Sequence, residues 1–398
     1  MDKQKRLSIC ILRHAYFPDD PNTRRQAFAL TEAGFSVEII CLRKKGQIPK
    51  ENIKGIIVMR VPVSHKRLGM IRYFLEYSLS FVMMSIVLIF QFIKRRYEFI
   101  QVSTMPDFLV FSTLIPKLLG AKILLDIHEP TPELWITKYG PNRLRLLLLL
   151  QIKIEQLAIL YAHRCFTVTE TLRNRLGQRG ADISKISVIA NVCEEVFEEA
   201  FYTYLKRKPI GPSMKFRLIT HGLIEERCGH DIAIRAISCL RNKIYNLEYR
   251  IAGEGEYIQN LYELVNELGC NKNIKYLGFL PFNDLLREII DSDLAIIPMK
   301  RSQYSELIET NKMYEYMALR RPIIISRLKA VEENFDDSCV MFFEPDNYED
   351  LARRILELYN KPEKRRILVE NSYSRYEKIR WGETKKIYLK IIQDLAAN

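Results

Sequence analysis

The stretch Thr220–Ala236, THGLIEERCGHDIAIRA, changes character twice. It continues FRLIT (Phe216 to Thr220), an apolar and β-branched run that predicts a buried strand, and from His230 on its apolar residues Ile232, Ile234 and Ala236 predict a helix. Between the two lie Gly222, Glu226, Arg227 and a second glycine, Gly229. Glycine lets the backbone turn sharply and approach a ligand closely, and the free amides and positive dipole end of a helix start favour an anion. The stretch therefore reads as a strand-to-helix turn with a basic residue in an anion-binding position.

Working outward, strand-like runs alternate with helical stretches on both sides. Upstream are Leu7 to Leu12, Val37 to Leu42, Ile56 to Val61, Phe99 to Val102, Lys122 to Ile127, Cys165 to Val168 and Ile186 to Ala190. Downstream are Tyr249 to Gly253, Ile274 to Gly278, Leu294 to Pro298, Pro322 to Ser326 and Val340 to Phe343. Continuous apolar runs separated by helices describe α/β architecture with parallel sheets covered on both faces. A chain of 398 residues exceeds one ordinary core, and LKRKPIGPSMK (Leu205 to Lys215), with two prolines, a glycine and basic residues, reads as a linker. The expected organisation is a first doubly wound domain over 1–205, a linker over 206–215, a second doubly wound domain over 216–378 and a final helical segment over 379–398. Ligands of such sheets bind beyond the carboxyl ends of the strands, so a cleft between the domains is the expected site.

The composition, 48% hydrophobic and 27% charged, excludes a disordered chain. Eight cysteines are scattered with no C-x-x-C pair and no Cys/His cluster, which predicts reduced, buried thiols in a cytosolic protein and no zinc site. The N-terminal MDKQKRLSICILRHAYF flows into strand pattern without a small-residue cleavage site and is read as no signal peptide. The net charge is +13, and residues 1–120 hold 19 Lys/Arg against 9 Asp/Glu, so +10 of it lies there, clustered at Arg43-Lys44-Lys45, Lys66-Arg67 and Lys94-Arg95-Arg96. Such a face suits nucleic acid, anionic lipid or a phosphorylated acceptor; no nucleic-acid motif accompanies it, and no nucleic acid is expected. Between two clusters, Tyr77 to Ile93 carries no formal charge over seventeen residues. A core helix is the first reading, followed by a helix docked on a membrane surface and then by a span, for which it is slightly short. The leucine-rich run Leu144 to Leu160 is read as a core helix before a membrane-contacting one.

Three strand ends of the second domain carry candidate chemistry. One is the opening turn with Glu226 and Arg227; another is AGEGE, Ala252 to Glu256; the third is LIETNKMYEYMALRRPIIIS, Leu307 to Ser326. In the third, Lys312 and Glu315 are three apart and share a helix face at its start. Cations, free amides and a carboxylate make a nucleoside diphosphate site: Arg and Lys for phosphate, Glu for the ribose hydroxyls. Gly253 and Gly255 are expected to act through backbone packing near the base. Asp291-Ser292-Asp293 invites a metal reading but precedes a strand, and no metal is expected there.

The order of these pieces resembles family 4 glycosyltransferases of the GT-B fold, with two Rossmann-like doubly wound domains. The resemblance is carried by THGLIEERCGHD, IAGEGEY, IKYLGFLPFNDL, SDLAIIP and TNKMYEYMALRRPIIIS, and in the first half by LTEAGFSVEIICL, QVSTMPDFLVF, LLDIHEPTPELW and VTETLRNRLGQRGADISKISVIANVCEEVF. It implies transfer of a sugar from a nucleotide-sugar donor, UDP- or GDP-linked, with retention of configuration and without a metal or other cofactor. It implies a glycan or lipid-diphosphate-linked acceptor, cell-surface polysaccharide synthesis as the setting, and a final helix that returns to the first domain. Residue by residue, Glu315 matches the second glutamate of E-x7-E, Arg227 the basic residue facing the donor diphosphate, and Lys312 the lysine of the T-K-x-x-E-Y variant. His128, in DIHE, matches a histidine near the donor sugar, with Asp126, Glu129 and Glu133 around it. The donor site implied is Gly222, Glu226, Arg227, Gly253, Gly255, Gly278, Thr310, Asn311, Lys312 and Glu315, with His128, Arg227 and Lys312 as the catalytic set. The basic first half places the protein at an anionic membrane surface, cytoplasmic and peripheral on the inner face of the plasma membrane.

The sequence departs from the family pattern in places. The first glutamate of E-x7-E is replaced by Leu307, flanked by Glu306 and Glu309, so either a neighbour makes that contact or it is missing. DDPNTRRQ lacks the paired glycines of many relatives and has Asn22 where close relatives have arginine, leaving Arg24 and Arg25 as candidates. Cys228 stands where an aromatic is common, and Ser103-Thr104 where His-Asn is frequent. Two further readings are carried: a non-catalytic nucleotide-sugar or lipid-binding scaffold of the same fold, which Leu307 supports, and a nicotinamide oxidoreductase, which lacks G-x-G-x-x-G in the first βα turn of either domain.

Overall fold

A computed structural model describes residues 6–63, 70–140, 145–207 and 215–397. Lys66-Arg67, Leu144 and all but the ends of the expected linker lie outside the described residues. The chain divides into two compact α/β units, Met1–Ala190 with Thr384–Asn398, and Asn191–Glu383.

The first unit is an eight-stranded sheet of β1 (Ser8–Tyr16), β2 (Ser36–Leu42), β3 (Lys50–Ile53), β4 (Ile56–Val61), β5 (Phe99–Ser103), β6 (Lys122–Ile127), β7 (Arg164–Thr167) and β8 (Ile186–Val188), in the order β3-β4-β2-β1-β5-β6-β7-β8. All pairs are parallel except β3 with β4. The strand β3 escapes the sequence pattern because KENI has no apolar run. It is an edge strand returned by a tight turn at Lys54 and Gly55, both at positive φ, with Asn52 Oδ1 accepting the Gly55 amide at 2.9 Å.

The second unit is a six-stranded, all-parallel sheet of β9 (Phe216–His221), β10 (Leu247–Ala252), β11 (Ile274–Gly278), β12 (Leu294–Ile297), β13 (Ile323–Ser326) and β14 (Met341–Phe343). Its order is β11-β10-β9-β12-β13-β14, so the winding reverses between β9 and β12. Loops leaving those two strands flank the crevice where doubly wound sheets bind ligands.

The boundary falls after Ala190 rather than at 205, because the helix Val196–Arg207 packs on the second unit. Phe197 meets the Phe282 ring edge-on at 5.2 Å, and Glu198 accepts from Tyr376 Oη at 3.0 Å. At the other end, the helix Trp381–Ala397 starts in the second unit, and from Thr384 it belongs to the first. There Tyr388 is fully buried, stacked near Phe166 at 5.4 Å, with its hydroxyl donating to Gln101 Oε1 at 2.7 Å.

Both apolar helices of the first unit divide between core and surface. In Met70–Arg95, Tyr77, Ser80, Met84, Leu88 and Phe92 are buried while Leu79, Val82, Ile86 and Phe90 are exposed. In Arg145–Tyr161 only Glu155, Ala158 and Ile159 are buried, so the core-helix expectation holds for a narrow inner strip. All eight cysteines are free thiols; seven are buried, whereas Cys239 is exposed on the outer side of His230–Leu240.

Candidate functional site

In the second unit, the loops after β9, β10 and β12 are welded together by glycines. Gly229 has φ +69°, and a Cβ placed there would lie 1.7 Å from Pro298 O, which locks the β9 loop onto the β12 loop at the crevice. Gly253 has φ +145°, and its Cβ would lie 1.9 Å from Gly222 O; a Cβ on Gly255 would lie 2.1 Å from Ile224 O. Gly253 N also donates to Gly278 O at 2.8 Å. Gly253, Gly255 and Gly278 thus shape the site through their backbones, as AGEGE suggests.

Lys312 reaches this frame from the first turn of the helix Asn311–Ala318: a Cβ on Gly222 would lie 3.5 Å from its Nζ. Burial pulls the ammonium below its ordinary pKa; the Arg227 charge pushes the same way and Glu315 opposes it. Glu225 pairs with Arg227 and Glu315 partly offsets the charge on Lys312, and an anion bound between the two cations would add to that compensation. Thr310 caps the helix in extended conformation without a side-chain hydrogen bond to the first turn, so the leading amides around Asn311 have no intrahelical acceptor. Arg227 is oriented by Glu225, whose Oε2 accepts from Nε at 2.7 Å, and its guanidinium lies 4.9 Å from the Tyr304 ring centre. The structure therefore brings together Gly222, Arg227, Lys312 and the start of the helix at Thr310.

Glu315 does not stand alone. Its Oε2 is 2.6 Å from His221 Nε2, and His221 Nδ1 is 2.9 Å from Tyr316 Oη. His221 ends β9, one residue before Gly222, and was not singled out in the sequence, where a histidine after a strand carries little signal. Behind the cations, His230 is buried and pulled down to about 3 by burial and by the Lys312 charge, so it stays neutral.

Other expected residues are placed elsewhere. Glu226 is 70% exposed at its side chain and faces Lys300 Nζ at 3.5 Å, which removes it from the cation pair. Leu307 is buried, and neither neighbour replaces the missing glutamate. Glu306 is held by Arg301 Nε at 3.0 Å and Lys329 N at 2.8 Å; Glu309 is buried, accepting from Tyr314 Oη and from Asn334 Nδ2 at 2.9 Å. Asp291 accepts from Tyr204 Oη at 2.7 Å and Asp293 from Arg217 N at 2.8 Å, which gives both a structural use.

Glu309 makes a testable contribution to pH dependence. Burial pushes its carboxyl from 4.5 up to about 7. The folded chain therefore holds this proton more tightly than the unfolded chain does, and the stabilisation is full below pH 4.5 and lost as pH rises through about 7. The difference is on the order of 3 kcal/mol. Glu309→Gln should flatten the pH dependence of urea unfolding between pH 4.5 and about 7 relative to the parent, the interval bracketed by those two values. An unchanged slope would show that this carboxyl does not titrate as described.

In the first unit, His128 follows β6 and is buried, with Nε2 2.8 Å from Asp126 Oδ2. Burial pushes the Asp126 carboxyl up, but the His128 ring and the Gln26 amide outweigh it and hold it below its ordinary range. In the neutral imidazole form the Nε2–H donates to ionised Asp126, and Nδ1 is then the acceptor. That Nδ1 is buried with no partner among the described residues. A relay fixes this pair: Tyr388 donates to Gln101, Gln101 Nε2 to Gln26 Oε1 at 2.8 Å, and Gln26 Nε2 to Asp126 at 2.9 Å. Tyr388→Phe leaves the buried Gln101 oxygen unsatisfied and should cost about 1 to 2 kcal/mol in urea unfolding; no loss would show that the hydroxyl does not anchor the helix. Glu133, expected beside His128, is instead fully buried against Arg175 at 2.8 Å and Arg179 at 2.5 Å. Of the arginine candidates, Arg24 donates to Pro18 O at 2.8 Å and Arg25 is buried.

With these two strand-end sites in view, family models decide the class. Residues 21–192 match the glycosyl transferase 4-like domain and residues 205–375 match glycosyl transferases group 1. The chain belongs to the family 4-like glycosyltransferases. Solved structures of the GT-B fold agree over nearly the whole chain. Sucrose-phosphate synthase from Thermosynechococcus elongatus has a TM-score of 0.79 at 14% identity, covering 98% of this chain and 100% of the other. Anabaena HepE in complex with UDP-glucose has 0.71 at 13%, covering 98% and 100%. The catalytic domain of Starch Synthase IV from Arabidopsis thaliana, bound to ADP and acarbose, has 0.71 at 14%, covering 98% and 99%. No curated protein matches the sequence. The β11-β10-β9-β12-β13-β14 order of this glycosyltransferase places its cation pair at the winding reversal.

Proposed function

We propose that this glycosyltransferase takes its sugar from a nucleoside diphosphate donor and transfers it with retention of configuration, without a metal ion. The observation that carries the reading is the Lys312 ammonium beside Gly222, close to Arg227 and at the start of the helix Asn311–Ala318. Negative charge develops on the leaving diphosphate as the glycosidic bond breaks, and preorganised positive potential at that point is the largest lever a protein has. Lys312, Arg227 and the amides near Asn311 supply it. Glu315, held by His221, takes the ribose hydroxyls. The acceptor Nδ1 of His128 receives a hydroxyl proton in a hydrogen bond and so orients donor sugar or acceptor, while the diphosphate itself takes the acceptor's proton. Solved relatives holding UDP-glucose or ADP support a diphosphate donor.

The acceptor in this reading is a glycan or lipid-diphosphate-linked glycan in cell-surface polysaccharide synthesis, met at the inner face of the plasma membrane by a peripheral enzyme. The basic excess of residues 1–120 and the exposed apolar side of Met70–Arg95 support this placement. The test is turnover of UDP- and GDP-sugars by the purified protein, followed by proton NMR of the product in the presence of a chelator. An α-linked donor should give an α-linked product with activity intact; an inverted product, or activity lost to the chelator and restored by a divalent ion, would overturn the mechanism.

A second reading, a scaffold that binds nucleotide sugar without turnover, is favoured by Leu307, since Glu306 and Glu309 are both engaged elsewhere. Binding without any transfer or hydrolysis would select it.

A further inference from the structure

The exposed apolar side of Met70–Arg95 is one part of a larger surface. Strand order runs β4-β2-β1-β5-β6-β7, and the chain passes from β4 to β5, β5 to β6 and β6 to β7 in one direction along the sheet. Right-handed crossovers then put the intervening helices on one face of it. These are Met70–Arg95, the segment Asp107–Leu118 and Arg145–Tyr161. Ring contacts join them side by side: Phe81 meets Phe108 at 5.8 Å and Phe111 meets Tyr161 at 5.4 Å.

The outward sides of all three are apolar. Ile86 and Phe90 are exposed on the first, Leu118 on the second, and Leu146, Leu149 and Leu160 on the third, with Leu118 77% and Leu146 80% exposed. Scattered single leucines would need no explanation, but a continuous layer of this kind marks an interaction surface. The charges on it have one sign. Glu76 and Glu155 are buried and Arg95 is paired with the buried Glu38 at 3.2 Å, whereas Lys94, Arg96, Arg145 and Lys153 are exposed.

We infer that these three elements form one composite face that lies in the headgroup layer of an anionic bilayer. The inference rests on the membrane reading above and extends it to 114–119 and 145–161. The charge pattern decides the occupant. A second copy of the same face would bring basic residues against basic residues, whereas anionic headgroups complement them and acyl chains take the leucines. By length and composition Leu75–Arg95 could cross a membrane. Its inner side is committed to the sheet layer, however: Ser80 Oγ is 3.0 Å from His14 Nε2, and Tyr77 stands edge-on to the His14 ring at 4.6 Å. A span would strip that side from the unit, so the helix lies along the surface.

The test is co-sedimentation of the full chain with vesicles containing phosphatidylglycerol and with vesicles of phosphatidylcholine alone. Binding is expected to the former at low salt and to be lost at high salt. Phe90→Glu, Leu118→Glu, Leu146→Glu and Leu160→Glu should each weaken it about tenfold or more, with thermal unfolding and nucleoside diphosphate binding unchanged because the residues are exposed and belong to the first unit. If the parent binds and Leu118→Glu, Leu146→Glu and Leu160→Glu bind as tightly, the composite face is wrong while a membrane role for Met70–Arg95 survives. Failure of the parent to bind anionic vesicles sinks both. Self-association lost in the same variants without any lipid effect would make the face a protein interface and overturn the inference.

Discussion

Lys312→Ala should lower the rate of sugar transfer about 100-fold, equivalent to roughly 3 kcal/mol in the barrier. The side chain touches no product sugar in this account; it stabilises charge on the leaving diphosphate, so the loss belongs in kcat as well as in kcat/KM. Its site is built for such a role. Burial and the Arg227 charge already strain the ammonium toward its neutral form, and a bound diphosphate relieves both. Arg227→Ala should act in the same direction. Because the two cations serve one anion, their combined loss should be less than the product of the single losses. Steady-state kinetics of the two single variants and the double variant checks this; a loss confined to KM would assign Lys312 to ground-state binding alone.

Gly229→Ala and Gly253→Ala should each destabilise the second unit by more than about 4 kcal/mol, the range reserved for mutations that break a defined structural feature. Each glycine combines positive φ with a backbone oxygen closer than 2 Å to any Cβ, Pro298 O in one case and Gly222 O in the other. A methyl group there cannot be absorbed by a side-chain rotation; a strand-end loop must move. Gly278→Ala is the internal comparison: φ is +64° but the space beside it is open, so only the backbone term of about 1 to 2 kcal/mol remains. Urea unfolding of the three variants separates the cases. Equal effects at all three positions would show that loop contact is not what these glycines provide.

Much of this was legible in the sequence because parallel strands buried on both faces leave continuous apolar runs. Ile56 to Val61, Lys122 to Ile127 and Ile274 to Gly278 coincide with observed strands. The helix Val196–Arg207 was assigned to the wrong unit because its amphipathic pattern states that it packs, not upon what; Phe197 against Phe282 is a contact across 85 positions of sequence. The cation pair was readable, since Arg227 between glycines and Lys312 at a helix start are local patterns. His221 was not, because its role depends on a Glu315 brought close only by β9 lying beside β12. Gln26, Gln101 and Tyr388 were hidden for the same reason: a relay between a helix, a strand and the chain terminus has no spacing to recognise.

The most direct test of the account is calorimetric titration of the parent and Lys312→Ala with UDP, GDP and ADP and with the corresponding nucleosides. One nucleoside diphosphate should bind the parent and lose about tenfold or more in affinity in the variant, as expected for a charge-assisted contact, while its nucleoside binds both proteins equally. No diphosphate binding to the parent, or an equal loss for diphosphate and nucleoside, would contradict the assignment of Lys312 to phosphate.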